Sequence, residues 1–220
     1  MIKIKNLKKS FSSDFTLKID ELNINDGERV ALIGSNGSGK STLLRLIAGI
    51  IKPDSGTVEI TAPKGKIGYQ PQNPYTFSGT VEDNIKLGVH GEADIEKIIS
   101  DCRLEELKKK RSSALSGGEK QRMCLARMLA GGYNLLLLDE PLSAADIETS
   151  AQMGKYLAKE CERTGTTLLT ATHMPSQAEI IATKILIMNN GEISEYSDIE
   201  KLKEPKSDFG RKFIEQWRIL

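Results

Sequence analysis

Gly34-Ser35-Asn36-Gly37-Ser38-Gly39-Lys40-Ser41 follows the run Arg29-Val30-Ala31-Leu32-Ile33 and precedes Leu43, Leu44, Leu46, Ile47 and Ile50. The first flank reads as a short buried strand, the second as a helix reaching Pro53. Between them the octapeptide fits G-x-x-x-x-G-K-[ST] in the strand–loop–helix setting its chemistry needs. Glycines let the backbone wrap closely, so that consecutive N–H groups converge on phosphate oxygens. A helix beginning near Lys40 aims its positive end at the same anion. Lys40 is expected to bridge the β- and γ-phosphates and the Ser41 hydroxyl to ligate Mg²⁺. Gly34, Ser35, Asn36, Gly37, Ser38, Gly39 and Thr42 complete the expected phosphate cradle. This is a nucleotide phosphate site, and it sets the fold class as α/β.

The rest of the composition agrees. The chain has 220 residues, with 31 Lys plus Arg against 30 Asp plus Glu and a net charge of +1. A domain of this size buries roughly 70% of its unfolded surface and needs no disulfide or metal staple. Near-neutral charge argues against a nucleic-acid binder, whose affinity comes from accumulated Lys and Arg. Lys108 to Arg111, the densest basic run, reads as a solvated helix face. Cys102, Cys124 and Cys161 lie far apart and read as reduced thiols. No apolar run reaches the ~18 residues of a membrane span. Met1-Ile2-Lys3-Ile4-Lys5 alternates like a strand and lacks signal-peptide character.

Working outward, Phe15, Leu17 and Ile19 share one face of a strand, and Asn25-Asp26-Gly27 is a turn. Residues 80 to 131 are more polar and helical. Leu135-Leu136-Leu137-Leu138 reads as a buried parallel strand, followed by helix, strand, helix and strand through Met188. The tail from Pro205 is helical, with Phe209, Phe213 and Trp217 as a packing stripe.

Directly after the Leu135–Leu138 strand come Asp139 and Glu140, at the sheet edge where α/β ligands bind. Asp139 is placed to hold Mg²⁺ through water, and Glu140 to orient and deprotonate an attacking water. No Asn-Lys-x-Asp motif is present, which disfavours a GTPase. Leu115-Ser116-Gly117-Gly118-Glu119-Lys120-Gln121 supplies a second feature of the same kind. Ser116, Gly117 and Gly118 at a helix N-terminus offer a hydroxyl, free N–H groups and a helix dipole to another anion.

That stretch closely resembles the signature motif of the ATP-binding cassette (ABC) ATPases, and the resemblance extends over essentially all 220 residues. It implies a P-loop NTPase with a mainly parallel sheet core, an N-terminal antiparallel β subdomain and a small inserted helical subdomain. The whole chain would be one domain, residues 1–79 and 132–220 forming the core and about 80–131 the helical subdomain. Phe11, 23 positions before Gly34, matches the family's adenine-stacking aromatic, with Phe15 as its rival. Gln70 and Gln72 compete for the Q-loop position, which the family places after proline, at Gln72; in the family that glutamine touches Mg²⁺ and the water. His173 resembles the switch histidine at the γ-phosphate, and Asp146 the D-loop that couples two sites. Glu119, Ala145 and Phe11 depart from the commonest pattern without removing a group needed for hydrolysis.

The resemblance further implies two cassettes, as a homo- or heterodimer, closing head-to-tail on two ATP molecules. Permease subunits would dock near residues 72–85, and the chain would sit on the cytoplasmic face of the cell membrane through them. A soluble role such as cluster assembly stays as the alternative. The 75 positions from Lys40 to Leu115 leave no room for the long coiled coils of repair relatives. The 47 residues beyond His173 are too few for a separate regulatory domain.

Overall fold

The computed structural model describes residues 1–12, 15–61 and 66–218. Two sheets share the load. The smaller is antiparallel and built from β1 (Ile2–Ser12), β2 (Phe15–Ile24) and β4 (Ser55–Ile60), in the order β2-β1-β4. The larger contains β3 (Arg29–Ile33), β5 (Ile67–Gln70), β6 (Leu135–Asp139), β7 (Thr167–Ala171), β8 (Lys184–Asn189) and β9 (Glu192–Asp198). Its order is β5-β6-β7-β3-β8-β9, all parallel except the edge strand β9.

Both faces of this sheet are covered, which is why β6 and β7 are apolar almost throughout and buried at every position. On one face, α1 (Lys40–Ile47) and the antiparallel sheet enclose Leu43, Leu44, Leu135, Leu137 and Leu169. On the other, α4 (Gly117–Ala130) and α5 (Ile147–Thr164) pack on Leu136, Leu138 and Leu168. α2 (Val81–Lys86) and α3 (Ile95–Asp101) join that same apolar cluster through Val81, Ile85 and Ile99, so the helical segment shares its core with the sheet. α6 (Pro175–Ile181) and α7 (Asp208–Arg218) cover β3 and β8, with Phe213 buried against Ile33 and Ile187. The tail stripe is therefore packing.

Register sets the site. Leu32 pairs with Ala171, and Ala171 with Asp139. The chain therefore leaves β3, β6 and β7 at one level, and Gly34, Glu140 and His173 emerge along one edge.

Two expectations need correction. α1 stops at Ile47, short of Pro53. Gly49 takes φ +71°, and the Gly49 and Ile50 N–H groups bond Leu46 O (3.1 Å) and Arg45 O (3.0 Å) in a Schellman closure. Ile50 is left 55% exposed. The Lys108–Arg111 run lies on turns, where Lys109 bonds Glu82 at 2.6 Å, Lys110 bonds Glu119 at 3.2 Å and Lys108 pairs with Glu96. Its ammonium groups tie turns to helices, and the Lys109 and Lys86 ammonium groups hold the Glu82 carboxyl down at about 2.

All three thiols are buried. Burial pushes Cys161 up to about 12 and raises Cys102 and Cys124 as well. Since only thiolates react, iodoacetamide at pH 8 is expected to leave the native chain unmodified and to add three groups after denaturation, read by intact mass. Rapid native labelling contradicts the packing described.

Candidate functional site

The loop between β3 and α1 is shaped by backbone that only glycine accepts comfortably. Gly34 has φ +149°, and a Cβ there would fall 2.1 Å from Met188 O of β8. Gly39, at φ +103°, is the N-cap of α1, and no side chain caps that helix. Among the described residues no side chain claims the first-turn N–H groups at the loop. Ser38 is 1% exposed, and its Oγ makes no hydrogen bond among the described residues.

Lys40 is only 7% exposed and donates to Gly34 O (2.9 Å) and Ser35 O (3.0 Å). Burial pulls its ammonium below the usual lysine range, while the Glu140 and Asp139 charges oppose that. Asp139 is 2% exposed at the end of β6; burial raises its carboxyl, against the Ser41 hydroxyl that donates to it and the nearby Arg45 and Lys40. Ser41 and Asp139 thus face each other across the loop.

Glu140 has φ +53°, a left-handed conformation for a side-chain-bearing residue that costs roughly 1–3 kcal/mol. Its N–H donates to Ala171 O at 3.0 Å, pinning the turn to β7. Its carboxylate is 2.8 and 3.0 Å from His173 Nδ1. The His173 ring lies 6.2 Å from that of Trp217 on α7.

Lys40, Ser41, Asp139 and Glu140 line a cavity of about 660 Å³, bounded also by Phe15, Asn36, Gly37, Gly39, Thr42 and Gln72. Two aromatics and two glutamines are separated here. Phe15 lines the cavity, whereas Phe11 is 58% exposed beneath Lys9 Nζ and is not among its walls. Membership of the Phe15/Leu17/Ile19 stripe made Phe15 the weaker rival in the sequence, yet that stripe brings Phe15 and Leu17 beneath Gly39. Gln72 lines the cavity; Gln70 is 2% exposed, and its amide makes no hydrogen bond among the described residues. Gly34, Ser35, Asn36 and His173 also wall an adjoining cleft of about 570 Å³ closed by α7.

Ser116, Gly117, Gly118 and Asp146 are absent from the walls of the cavity. Ser116 is the N-cap of α4 and Asp146 that of α5, with Asp146 Oδ1 accepting from Thr149 N at 2.8 Å. The signature serine is not wholly free. Its Oγ accepts from Glu119 N (3.3 Å), and Glu119 Oε2 accepts from Ser116 N (2.7 Å), a reciprocal capping box. The Ser116 N–H and then Lys110 hold the Glu119 carboxyl below its ordinary range, against partial desolvation.

A triphosphate fits what is present. Free N–H groups, a helix dipole, a buried lysine and the unpartnered Ser38 hydroxyl converge on one loop. Hydroxyl and carboxylate oxygens, as offered by Ser41 and Asp139, suit Mg²⁺, which takes few protein ligands besides substrate phosphates. The class that follows is a P-loop nucleotide-binding domain.

Comparison with known proteins carries this further. The family model described as ABC transporter matches residues 17–143, more than half of the chain. A sulfate/thiosulfate import ATP-binding protein, CysA of Synechocystis, is 36% identical over 99% of this chain, which spans 66% of that relative's length. An aliphatic sulfonates import ATP-binding protein, SsuB 3 of Pseudomonas savastanoi, is 37% identical over 86% of this chain and 73% of its own. Among solved structures, CbiO1 of Clostridium perfringens, part of the ABC transporter complex CbiONQ, superposes with a TM-score of 0.79. It is 26% identical, over 99% of this chain and 96% of that one. The chain belongs to the ABC transporter family.

Because burial disfavours the Asp139 charge, its removal relieves the fold. Its raised carboxyl means the folded state holds the proton more tightly than the unfolded one, so the ionised form destabilises at neutral pH. Asp139→Asn is expected to raise the unfolding free energy at pH 7 by about 1 kcal/mol, read from urea midpoints. The gain should shrink as pH falls. A destabilised variant at pH 7 overturns the electrostatic account.

Proposed function

We propose that the chain is an ATP-hydrolysing nucleotide-binding subunit that powers solute movement by separate membrane subunits. The observation that carries this reading is one sheet edge that gathers Lys40, Ser41, Asp139, Glu140 and His173 around a single cavity and its neighbouring cleft. ATP is held by the N–H groups of residues 36–42 and by Lys40, with an aromatic against the base. Ser41 and Asp139, with Gln72 at the rim, are the residues that would hold Mg²⁺, which would supply positive charge against the phosphates. Glu140 orients and deprotonates the attacking water, and Lys40 and His173 stabilise charge on the γ-phosphoryl group. Glu140 is bonded to His173 and Lys40 to loop carbonyls, so the groups assigned to the γ-phosphate lie side by side at one edge.

One chain has two phosphate-seeking helix ends but one cradle. Exposed Ser116 and Gly117, outside their own cavity, support a head-to-tail dimer in which they cap the partner's γ-phosphate. Tyr75 and Phe77, 80% and 51% exposed, support permease docking at residues 72–85. Their loop is held in shape by Asn84, which bonds Phe77 N and O (2.8 and 2.9 Å), and by Arg127, which bonds Tyr75 O (2.7 Å). Anchored backbone presenting exposed aromatics, Phe77 with the Arg127 guanidinium over its ring, suits a protein partner. Among the described residues no helix is long and apolar enough to cross a membrane, so that partner would hold the chain at the inner face. Import is the direction we propose, since both curated relatives named above are import subunits.

Glu140→Gln is expected to cut turnover by at least about 100-fold while keeping ATP bound. It should also accumulate an ATP-dependent dimer, read by light scattering. A variant that stays monomeric at saturating ATP overturns the dimer. Ser116→Arg is expected to abolish turnover and to leave ATP affinity of the monomer unchanged. Loss of that affinity contradicts a role in the partner's site.

A further inference from the structure

We propose that Gln121 is a positioning residue for hydrolysis, holding the backbone turn that aims Glu140. This rests on the reading of Glu140 given above. Gln121 is the fifth residue of α4 and 7% exposed. Its amide is spent on one other segment. Oε1 accepts from Ala144 N at 2.8 Å, and Nε2 donates to Ser143 Oγ at 2.9 Å and, at a long 3.4 Å, to Glu140 O. Ser143 Oγ in turn donates to Glu140 O at 3.2 Å. A buried primary amide aimed wholly at residues 140–144 is an anchor, since leaving those groups unpaired would be costly.

The segment needs an anchor. Glu140 sits at φ +53°, and such a conformation persists only where the surroundings over-determine it. Its N–H is fixed by Ala171 O. Its carbonyl is fixed from the α4 side, where Gln121 provides the contact from outside the loop. The helix also touches the loop directly one turn earlier: a Cβ on Gly118 would lie 2.8 Å from Ala144 O. α4 and residues 140–145 therefore behave as one block, with Ser116 at one end and the Glu140 turn at the other. Gln121 does not line the nucleotide cavity, so it acts through the residues it holds, and of residues 140–144 Glu140 is the one that lines that cavity.

The test uses the full chain carrying Gln121→Met, which keeps length and loses the amide, and Ser143→Ala, at an exposed position. Each is measured for turnover, for affinity towards a fluorescent ATP analogue, and for thermal unfolding. Gln121→Met is expected to lower kcat at least about tenfold with analogue affinity within about twofold of the parent, the split that misplacement of a reacting group produces. Ser143→Ala should lower kcat in the same direction, and the double variant no further than Gln121→Met, because both remove one network. Parental kcat in folded Gln121→Met overturns the proposal, as do equal losses of kcat and affinity. If Gln121→Met fails to fold, Ser143→Ala decides alone: parental kcat overturns the proposal and a lowered one supports it. Glu140→Gln is run alongside. Should it turn over normally, the reading of Glu140 fails; should it be inactive beside a fully active Gln121→Met, only the positioning role fails.

Discussion

A buried ammonium group beside a helix start without a cap is the constraint around which this molecule is arranged. Lys40 has left water yet bonds two backbone carbonyls, with Asp139 and Glu140 acting on it through space. Such a charge is tolerable only where the local potential is finely set. The loop glycines, the unclaimed first turn of α1 and the orphan Ser38 hydroxyl leave the site short of negative charge. The strand-end carboxylates supply part of what is missing. On the reading proposed above, a bound phosphate would supply the rest.

Everything that feeds this point was legible as chemistry, and much of its arrangement as pattern. The phosphate loop, the Leu135–Leu138 strand and the alternation after it follow from spacing that a parallel sheet enforces. Gln72 could be chosen over Gln70 only by resemblance, and the fold separates them because β5 turns Gln70 inward. Less could be read where long-range packing decides. The end of α1 depends on a Schellman closure at Gly49 that competes with apolar spacing running on to Ile50. Lys108–Arg111 looked like a solvated face because its partners, Glu82, Glu96 and Glu119, lie on other elements. Strand alternation does not say which aromatic the loop will close upon, and it is Phe15 that lies beneath Gly39.

Gln121 shows the same limit at the site itself. Within the signature it is one polar residue among several on a helix, and nothing local marks it as different from Lys120. Burial and the direction of its amide single it out, and both come from the way α4 lies over residues 140–145. The signature segment thus has two faces. One carries Ser116 outward, closed on itself by Glu119 and Lys110; the other grips the loop behind Glu140.

Trp217 is the chain's single tryptophan. Its indole is tilted at 44° to the His173 ring, and that ring holds the Glu140 carboxylate. The molecule therefore carries one indole fluorophore beside its five tyrosines, a single ring removed from the Glu140 carboxylate. Any event that frees the carboxylate alters the immediate neighbour of that indole, so such a change would be readable in its emitted light, without a label.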